Sequence, residues 1–199
     1  PRFERPRGLL LDHSPKEEVM KLEVASDVMC PWCYIGKRRL EKALNLLDGD
    51  VDLKISWLPF QLNPGMPEEG MSRAEYRKAK FGSLEHSRAL DARVIAEGRS
   101  EGIEFAFERI ERTPNTAAAH RLIFLAQDQD PVVDALFRAY FEEAKDIGDA
   151  AVLADIAALS ALKAELAHYA GDALAAHGDA GGLEQLLLHA WAPVGTAAH

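Results

Sequence analysis

The fold is decided by a stretch near the amino end of the chain, which reads Met20-Lys21-Leu22-Glu23-Val24-Ala25-Ser26-Asp27-Val28-Met29-Cys30-Pro31-Trp32-Cys33. Its first nine positions alternate as a half-buried strand does. An amphipathic helix follows, with Pro31 near its first position and Gly49 at its end. Two thiols on the first helical turn can close a small disulfide ring, and the free N–H groups there stabilise a thiolate. The stretch therefore predicts a thiol–disulfide exchange site.

The alternative for this pair is half of a zinc site. Cys30 and Cys33 are the only cysteines in the sequence, and the scattered histidines offer no suitable ligand spacing, so we expect no metal. In the redox interpretation Cys30 is the more exposed nucleophile, substantially ionised near neutral pH, and the more buried Cys33 resolves the mixed disulfide. Trp32 adds an apolar surface without a positive charge.

Charge and hydropathy exclude several classes of partner. The chain has 32 acidic and 23 basic residues, a formal net charge of -9, and no dense basic run, which argues against nucleic acid. No window approaches the roughly 18 apolar residues of a membrane span, and residues 1–19 lack the apolar core of a signal peptide. We therefore expect no membrane partner, a cytoplasmic location and a catalytic Cys pair.

The chain divides into four expected segments. Residues 1–19 form a disordered leader, and residues 20–64 form a βαβ unit whose second strand alternates from Val51 to Trp57. Its two strands should be parallel, with a right-handed crossover. Residues 65–166 open with a proline-rich loop and then take a helical period, which predicts a helical insertion. Residues 167–199 form a divergent, Ala-, Gly- and His-rich C-terminal segment.

Four segments of the sequence carry a resemblance to a known family. They are Asp27-Val28-Met29-Cys30-Pro31-Trp32-Cys33-Tyr34-Ile35-Gly36-Lys37, Trp57-Leu58-Pro59-Phe60-Gln61-Leu62-Asn63-Pro64, Pro114-Asn115-Thr116 with His120-Arg121-Leu122, and Phe141-Glu142-Glu143 with Asp146-Ile147-Gly148-Asp149. Over about residues 20–159 the chain resembles the DsbA-like thioredoxin-fold oxidoreductases related to 2-hydroxychromene-2-carboxylate isomerase and kappa-class glutathione transferases. The resemblance implies an α/β, thioredoxin-like fold with a large all-helical insertion between its βαβ and ββα halves.

The sequence departs from this family after the insertion. Family members carry a Val-Pro-x-Phe-like segment there, whose cis proline faces the Cys pair and opens the closing β-hairpin. The last proline of this chain is Pro193, so we expect the C-terminal ββα half to be missing or divergent, through truncation, a reading-frame change or genuine divergence. Two strands alone would leave an unpaired edge and an uncovered apolar face around Leu22, Val24, Ile55 and Trp57, which favours self-association.

The expected substrate-binding residues are Phe60, Asn115, Thr116 and His120. The resemblance implies that Asn115-Thr116 helps to line the cleft over the active site, although Asn115 could equally be a helix N-cap. His120 is a candidate proton shuttle for Cys33, and the alternative is a buried, hydrogen-bonded histidine. The basic residues 37–39 either form the solvated face of the active-site helix or steer acidic substrates.

The sequence thus predicts a DsbA-like thiol–disulfide oxidoreductase that uses the redox pair in Cys30-Pro31-Trp32-Cys33. Its expected partners are protein or small-molecule thiols and disulfides, with no cofactor, with glutathione as a candidate redox partner and with a homodimer left open. Two alternatives remain. One is a glutathione-dependent isomerase or transferase, whose family branches carry Ser at the position of Cys30. The other is a truncated, non-catalytic binding remnant, which the missing hairpin favours.

Overall fold

The computed structural model describes residues 19–46 and 53–161. Its first three elements are the strand β1 (Met20–Ser26), the helix α1 (Pro31–Asn45) and the strand β2 (Leu53–Pro59). The two strands pair in parallel, from Met20 opposite Leu53 to Ser26 opposite Pro59. This confirms the βαβ unit and its parallel pairing. β1 ends two residues earlier than its alternation suggests, because a turn begins in which the backbone N–H of Cys30 donates to the carbonyl of Asp27 at 2.9 Å.

Residues 71–161 are mostly helical, as the sequence predicts. The helices are α2 (Arg73–Phe81), α3 (Leu84–Ser100), α4 (Ala117–Leu125) and α5 (Gln129–Phe141), and residues 150–161 are also helical. A two-residue antiparallel ladder joins β3 (Met71–Ser72) to β4 (Arg112–Thr113). This ladder corrects the expectation of an all-helical insertion. The proposed division of the chain into four segments stays a prediction.

Aromatic packing joins the helical region to the βαβ unit. Tyr34 of α1 is fully buried and stacks on Phe137 of α5, with ring centroids 4.9 Å apart and planes 12° apart. Phe141, one helical turn further along α5, packs on the same ring. Phe105 approaches Tyr34 edge-on from the loop after α3. Such offset and edge-to-face pairs add to the burial of large apolar area, so α5 holds the helical region against the active-site helix.

A side chain of α5 covers the outer edge of β2. The backbone N–H of Trp57 donates to Oε1 of Gln129 at 2.7 Å, and the Trp57 indole N–H donates to Oδ1 of Asp130 at 3.2 Å. Trp57 is buried. The expectation of an uncovered apolar face at Trp57 is therefore wrong, because the amide of Gln129 and the start of α5 satisfy and cover this part of the edge.

Several expectations lie outside the described residues. These include the disordered leader, except for its last residue, and the divergent segment 167–199 with its missing or divergent ββα half. Within the described part of the chain, no helix combines the length and the apolar character that a membrane span requires.

Candidate active site

The two cysteines lie at the start of α1, where the sequence places them. Cys30 is the N-cap residue, with φ -93° and ψ 112°, and Pro31 occupies the first helical position. The carbonyl of Cys30 accepts from the backbone N–H of Cys33 at 3.1 Å and of Tyr34 at 3.3 Å. Both cysteines are free thiols and both are half-buried. The expected contrast between an exposed Cys30 and an enclosed Cys33 is not observed.

The thiol–thiol hydrogen bond controls the ionisation of Cys33. Hydrogen bonding with the Cys30 side chain is the largest effect lowering the pKa of Cys33, from an ordinary 9.0 to about 6. Burial opposes this change, and the backbone of Asp27 and the hydroxyl of Ser26 assist it. A hydrogen bond to the charged form favours that form, so the pair carries one negative charge near neutral pH.

The same hydrogen bond raises the pKa of Cys30 far above its ordinary value, and burial raises it further. The sequence argument places the low pKa on Cys30, whereas the hydrogen bonding of the pair lowers the pKa of Cys33 and raises that of Cys30. The two thiols share one proton, so the first ionisation is a property of the pair. Moving that proton along the S–H···S bond turns Cys30 into the thiolate and Cys33 into the thiol, without any change in net charge.

Asp27 connects the segments of backbone around the Cys pair. It is fully buried, and its Oδ2 accepts from the backbone N–H of Leu62 at 2.7 Å. Its Oδ1 lies 3.4 Å from both the backbone N–H of Met29 and Nε2 of His120. A buried carboxylate needs such partners to offset its lost hydration. Asp27 thereby joins the loop before α1, the loop after β2 and helix α4, a role that the sequence argument did not assign to it.

The four expected substrate-binding residues differ in their surroundings. His120 is buried beside Asp27, and Thr116 is buried with its Oγ1 accepting from the Gln61 amide at 3.5 Å. Asn115 donates from Nδ2 to the carbonyl of Met66 at 2.7 Å and accepts at Oδ1 from the N–H of Ala117 at 2.9 Å. The N-cap residue of α4 is Thr116, so the N-cap alternative for Asn115 is wrong, and Asn115 instead closes a turn just before the helix.

Phe60 is exposed after the end of β2. The substrate-binding roles of Phe60 and the other three residues stay predictions.

The basic residues of α1 do not form a solvated face throughout. Lys37 is 2% exposed, and its ammonium contacts Glu41, Asp130 at 3.0 Å and Asp134 at 3.8 Å. Arg39, in contrast, is half-exposed and pairs with two glutamates of the α3 end. For Lys37 the solvated-face interpretation is wrong, because acidic side chains from α5 supply the partners that a buried ammonium requires.

A cavity of about 340 Å³ opens beside the Cys pair. Its walls from the βαβ side include Met29, Cys30, Pro31, Trp32 and Leu62. The opposite walls come from α2, α3 and the aromatic core, and they include Arg73, Tyr76 and Arg77. Cys30 lines this cavity, whereas none of the four expected substrate-binding residues does. Trp32, which also lines the cavity, is 49% exposed.

Sequence reasoning missed the residues that join the two sides of the cavity. Asn63 donates to the Met29 sulfur at 3.2 Å and accepts from the Tyr76 hydroxyl at 2.9 Å. A signal was available in the sequence, since Asn63 lies in the quoted segment after β2, but its partner on α2 could not be identified from spacing. In the part of the chain that the structure describes, no group of three or more His, Cys, Asp or Glu residues could hold a metal ion.

A parallel βαβ unit with a Cys-x-x-Cys pair at the start of its helix is the catalytic half of a thioredoxin fold, which defines the class of this protein. The chain belongs to the DsbA-like thioredoxin domain family, whose sequence model matches residues 21–176. The match supports a thiol oxidoreductase-like family, and DsbA-like oxidoreductases in general act on thiols and disulfides. The fold class implied by the resemblance is thereby confirmed.

Two relatives illustrate the match. The chain is 25% identical over 139 residues to YwbO of Bacillus subtilis (strain 168), covering 68% of this chain and 64% of that protein. It is also similar to the crystal structure of a probable DsbA oxidoreductase from Streptomyces coelicolor, with a TM-score of 0.64 and 30% identity. That match covers 75% of this chain and 66% of the Streptomyces chain. The chain therefore matches slightly less than two thirds of each relative's length.

Proposed function

We propose that this protein is a thiol–disulfide oxidoreductase that exchanges disulfides through Cys30 and Cys33. The observation that carries the proposal is the position of Cys30 between a cavity and a second thiol. Cys30 lines the cavity, and hydrogen bonding between its side chain and that of Cys33 is the largest influence on the pKa of both thiols. A nucleophile open to substrate with a resolving thiol behind it is the arrangement that two-step exchange requires.

The reaction follows from the shared proton. When the proton moves from Cys30 to Cys33, the Cys30 thiolate attacks one sulfur of a disulfide and expels the other half as a thiolate. Cys33 then loses its proton and attacks the Cys30 sulfur of the mixed disulfide, which releases the second half. The two cysteines lose two electrons and the one proton that they share, and the substrate leaves as two thiols once a second proton has come from water. The reverse sequence oxidises a dithiol substrate.

Three features of the site favour this exchange reaction. The N-terminal N–H groups of α1 favour negative charge at Cys30, and the backbone N–H groups of Trp32 and Cys33 lower its pKa against the effect of its partner. Asp27 holds the loop that carries Cys30 through the hydrogen bond from the Cys30 N–H. Trp32 presents an apolar surface beside the nucleophile, which suits contact with a substrate chain.

Turnover of a peptide disulfide by the reduced protein tests the proposal. We expect Cys30→Ser to abolish exchange, and we expect Cys33→Ser to accumulate a mixed disulfide on Cys30, seen by mass spectrometry. Full turnover by Cys33→Ser with glutathione would instead favour the isomerase or transferase alternative. Absence of exchange in the intact, folded protein would favour the binding remnant. The cytoplasmic location, the lack of a cofactor and the homodimer stay predictions from the sequence.

A further inference from the structure

The cavity beside Cys30 is cationic, although the chain as a whole carries a net charge of -9. Its lining contains four basic side chains, which are Arg73, Arg77, Lys80 and Arg93. Among the described residues that line it, Asp91 is the one carboxylate. A cleft of one charge sign within low-dielectric walls concentrates ligands of the opposite sign and speeds their arrival. The local surplus of positive charge therefore favours an anionic ligand in this cavity.

The two arginines share a single carboxylate. The guanidinium of Arg73 lies 3.3 Å from Oδ2 of Asp91, and the guanidinium of Arg77 contacts Oδ1 of the same side chain. The side chains of both arginines are only 13% exposed. Burial is the main cause that lowers the pKa of Arg77, and Arg73 lowers it further against the opposing effect of Asp91. One buried positive charge at this wall is thus left without a carboxylate of its own.

Neighbouring side chains hold both arginines in place at the cavity wall. Arg77 is held by Nε donating to the Ser87 hydroxyl at 2.5 Å, and its guanidinium lies 4.6 Å from the centre of the Phe81 ring. Arg73 lies over the Phe107 ring at 5.1 Å. Fixed guanidinium groups lose little side-chain entropy when they bind a carboxylate. The rest of the cavity wall is largely apolar, with Val94 and Phe141 among its residues.

The size of the cavity limits the occupant. About 340 Å³ lies near the lower end of the range for small-molecule sites, roughly 300–1,000 Å³. It is therefore suited to a compact molecule and is too small for a folded partner. We infer that the preferred substrate is a low-molecular-mass disulfide, or its thiol, that carries a carboxylate on an apolar body. The carboxylate lies at the arginines and the sulfur lies at Cys30.

This inference rests on the proposed function and uses the same exchange chemistry. The Cys30 thiolate breaks the S–S bond of the bound disulfide, and the acidic half that leaves takes up a proton as a thiol. Attack by Cys33 then releases the second half as another thiol. The electrons and protons balance as in the general reaction, and no further oxidant is needed.

Three symmetric disulfides of similar size separate charge from reactivity. They are 3,3′-dithiodipropionate with two carboxylates, bis(2-hydroxyethyl) disulfide with no charge, and cystamine with two ammonium groups. The rate at which each oxidises the reduced full-length chain is measured by acid quenching and mass spectrometry, and is divided by its rate with a small free thiol. We expect the anionic probe to react about tenfold faster than the neutral one after this correction, and the cationic probe to react slowest.

Variants that remove one positive charge show which side chains cause the preference for the anionic probe. Arg77→Gln should lower the rate of the anionic probe relative to that of the neutral probe at least threefold. Because Arg77→Gln also removes contacts within the fold, Lys80→Gln and Arg93→Gln at exposed positions should lower the advantage in the same direction. Arg39→Gln is the matched control, since it removes the same charge from the other side of the helix that carries Cys30, and it should change nothing.

The outcomes separate this inference from the proposed function. Oxidation by the neutral probe, with no preference for the anionic probe in the intact protein, would overturn the inference and leave the proposed function standing. An equal loss of preference in Arg39→Gln would also overturn it, because the preference would then come from overall charge. Failure of all three probes to form the Cys30–Cys33 disulfide would overturn the proposed function itself.

Discussion

Replacing Cys30 by alanine should restore an ordinary acidity to Cys33. The substitution removes the S–H donor, the largest of the causes that hold the pKa of Cys33 at about 6 instead of 9.0. At pH 7 a thiol with a pKa of 6 is about nine-tenths ionised, and one with a pKa of 9 is about one-hundredth ionised. Because Asp27 and Ser26 still act on the sulfur, we expect the pKa of Cys33 to rise by about two to three units.

The assay is the pH dependence of alkylation by iodoacetamide, quantified by mass. The midpoint of the profile is the required quantity, since a thiolate becomes more nucleophilic as its pKa rises and the rate at one pH would understate the change. Cys30→Ser is the matched control. Its hydroxyl can still donate to the Cys33 sulfur, so the midpoint should fall between those of the intact pair and Cys30→Ala.

The reciprocal variant tests the shared proton. In Cys33→Ala the main cause that raises the pKa of Cys30 is gone, while the N–H groups at the start of α1 remain. We expect Cys30 to titrate well below its value in the intact pair. A Cys33 midpoint that stays near 6 in Cys30→Ala would refute the hydrogen-bond explanation. The low pKa would then arise from the backbone and from helix α1 alone.

Three further predictions concern stability. Between pH 6 and 9 the unfolded chain binds more protons at Cys33 than the folded chain does. The unfolding free energy of the reduced protein, compared with that of the oxidised protein, should therefore rise with pH in this range, and the gain should be lost as the pH falls through 6. Denaturation of both forms at several pH values measures this difference. Lys37→Ala should cost about 3 kcal/mol in urea titrations, because it removes a buried ammonium that contacts three carboxylates. Arg39→Ala, at exposed ion pairs, should cost much less. Equal costs would contradict the burial argument. Gly70→Ala should lower the melting temperature, because Gly70 has φ +69° and an added Cβ would lie 2.6 Å from a backbone oxygen. Gly65→Ala should not lower it, because no atom lies within 4 Å of a Cβ added there.

The sequence predicts the βαβ unit well because its determinants are local. Alternation defines the strands, and Pro31 at the first helical position sets the start of α1 beside the Cys pair. Parallel pairing follows from the crossover helix. The ladder of β3 and β4 escaped prediction, since two residues carry no period and the register of Met71 opposite Thr113 depends on packing between distant segments.

Long-range contacts explain why most of the site could not be predicted. Lys37 lies among charged residues of a helix and resembles a solvated side chain until Asp130, far along the chain, approaches it. His120 gives no sign in the sequence that its neighbour will be the buried Asp27. Arg77 has the sequence context of a polar helix face, and its place on the cavity wall depends on how α2 packs. Only the Cys pair combines a local motif with a local geometry.

A redox titration of the purified full-length chain tests the central claim most directly. The protein is equilibrated in buffers of increasing oxidised-to-reduced glutathione ratio, and the thiols that remain are alkylated and counted by mass. We predict one two-electron transition in which Cys30 and Cys33 lose two hydrogens together, and no such transition in Cys30→Ser or Cys33→Ser. Two independently modified cysteines across the whole range, without formation of the Cys30–Cys33 disulfide, would contradict the account.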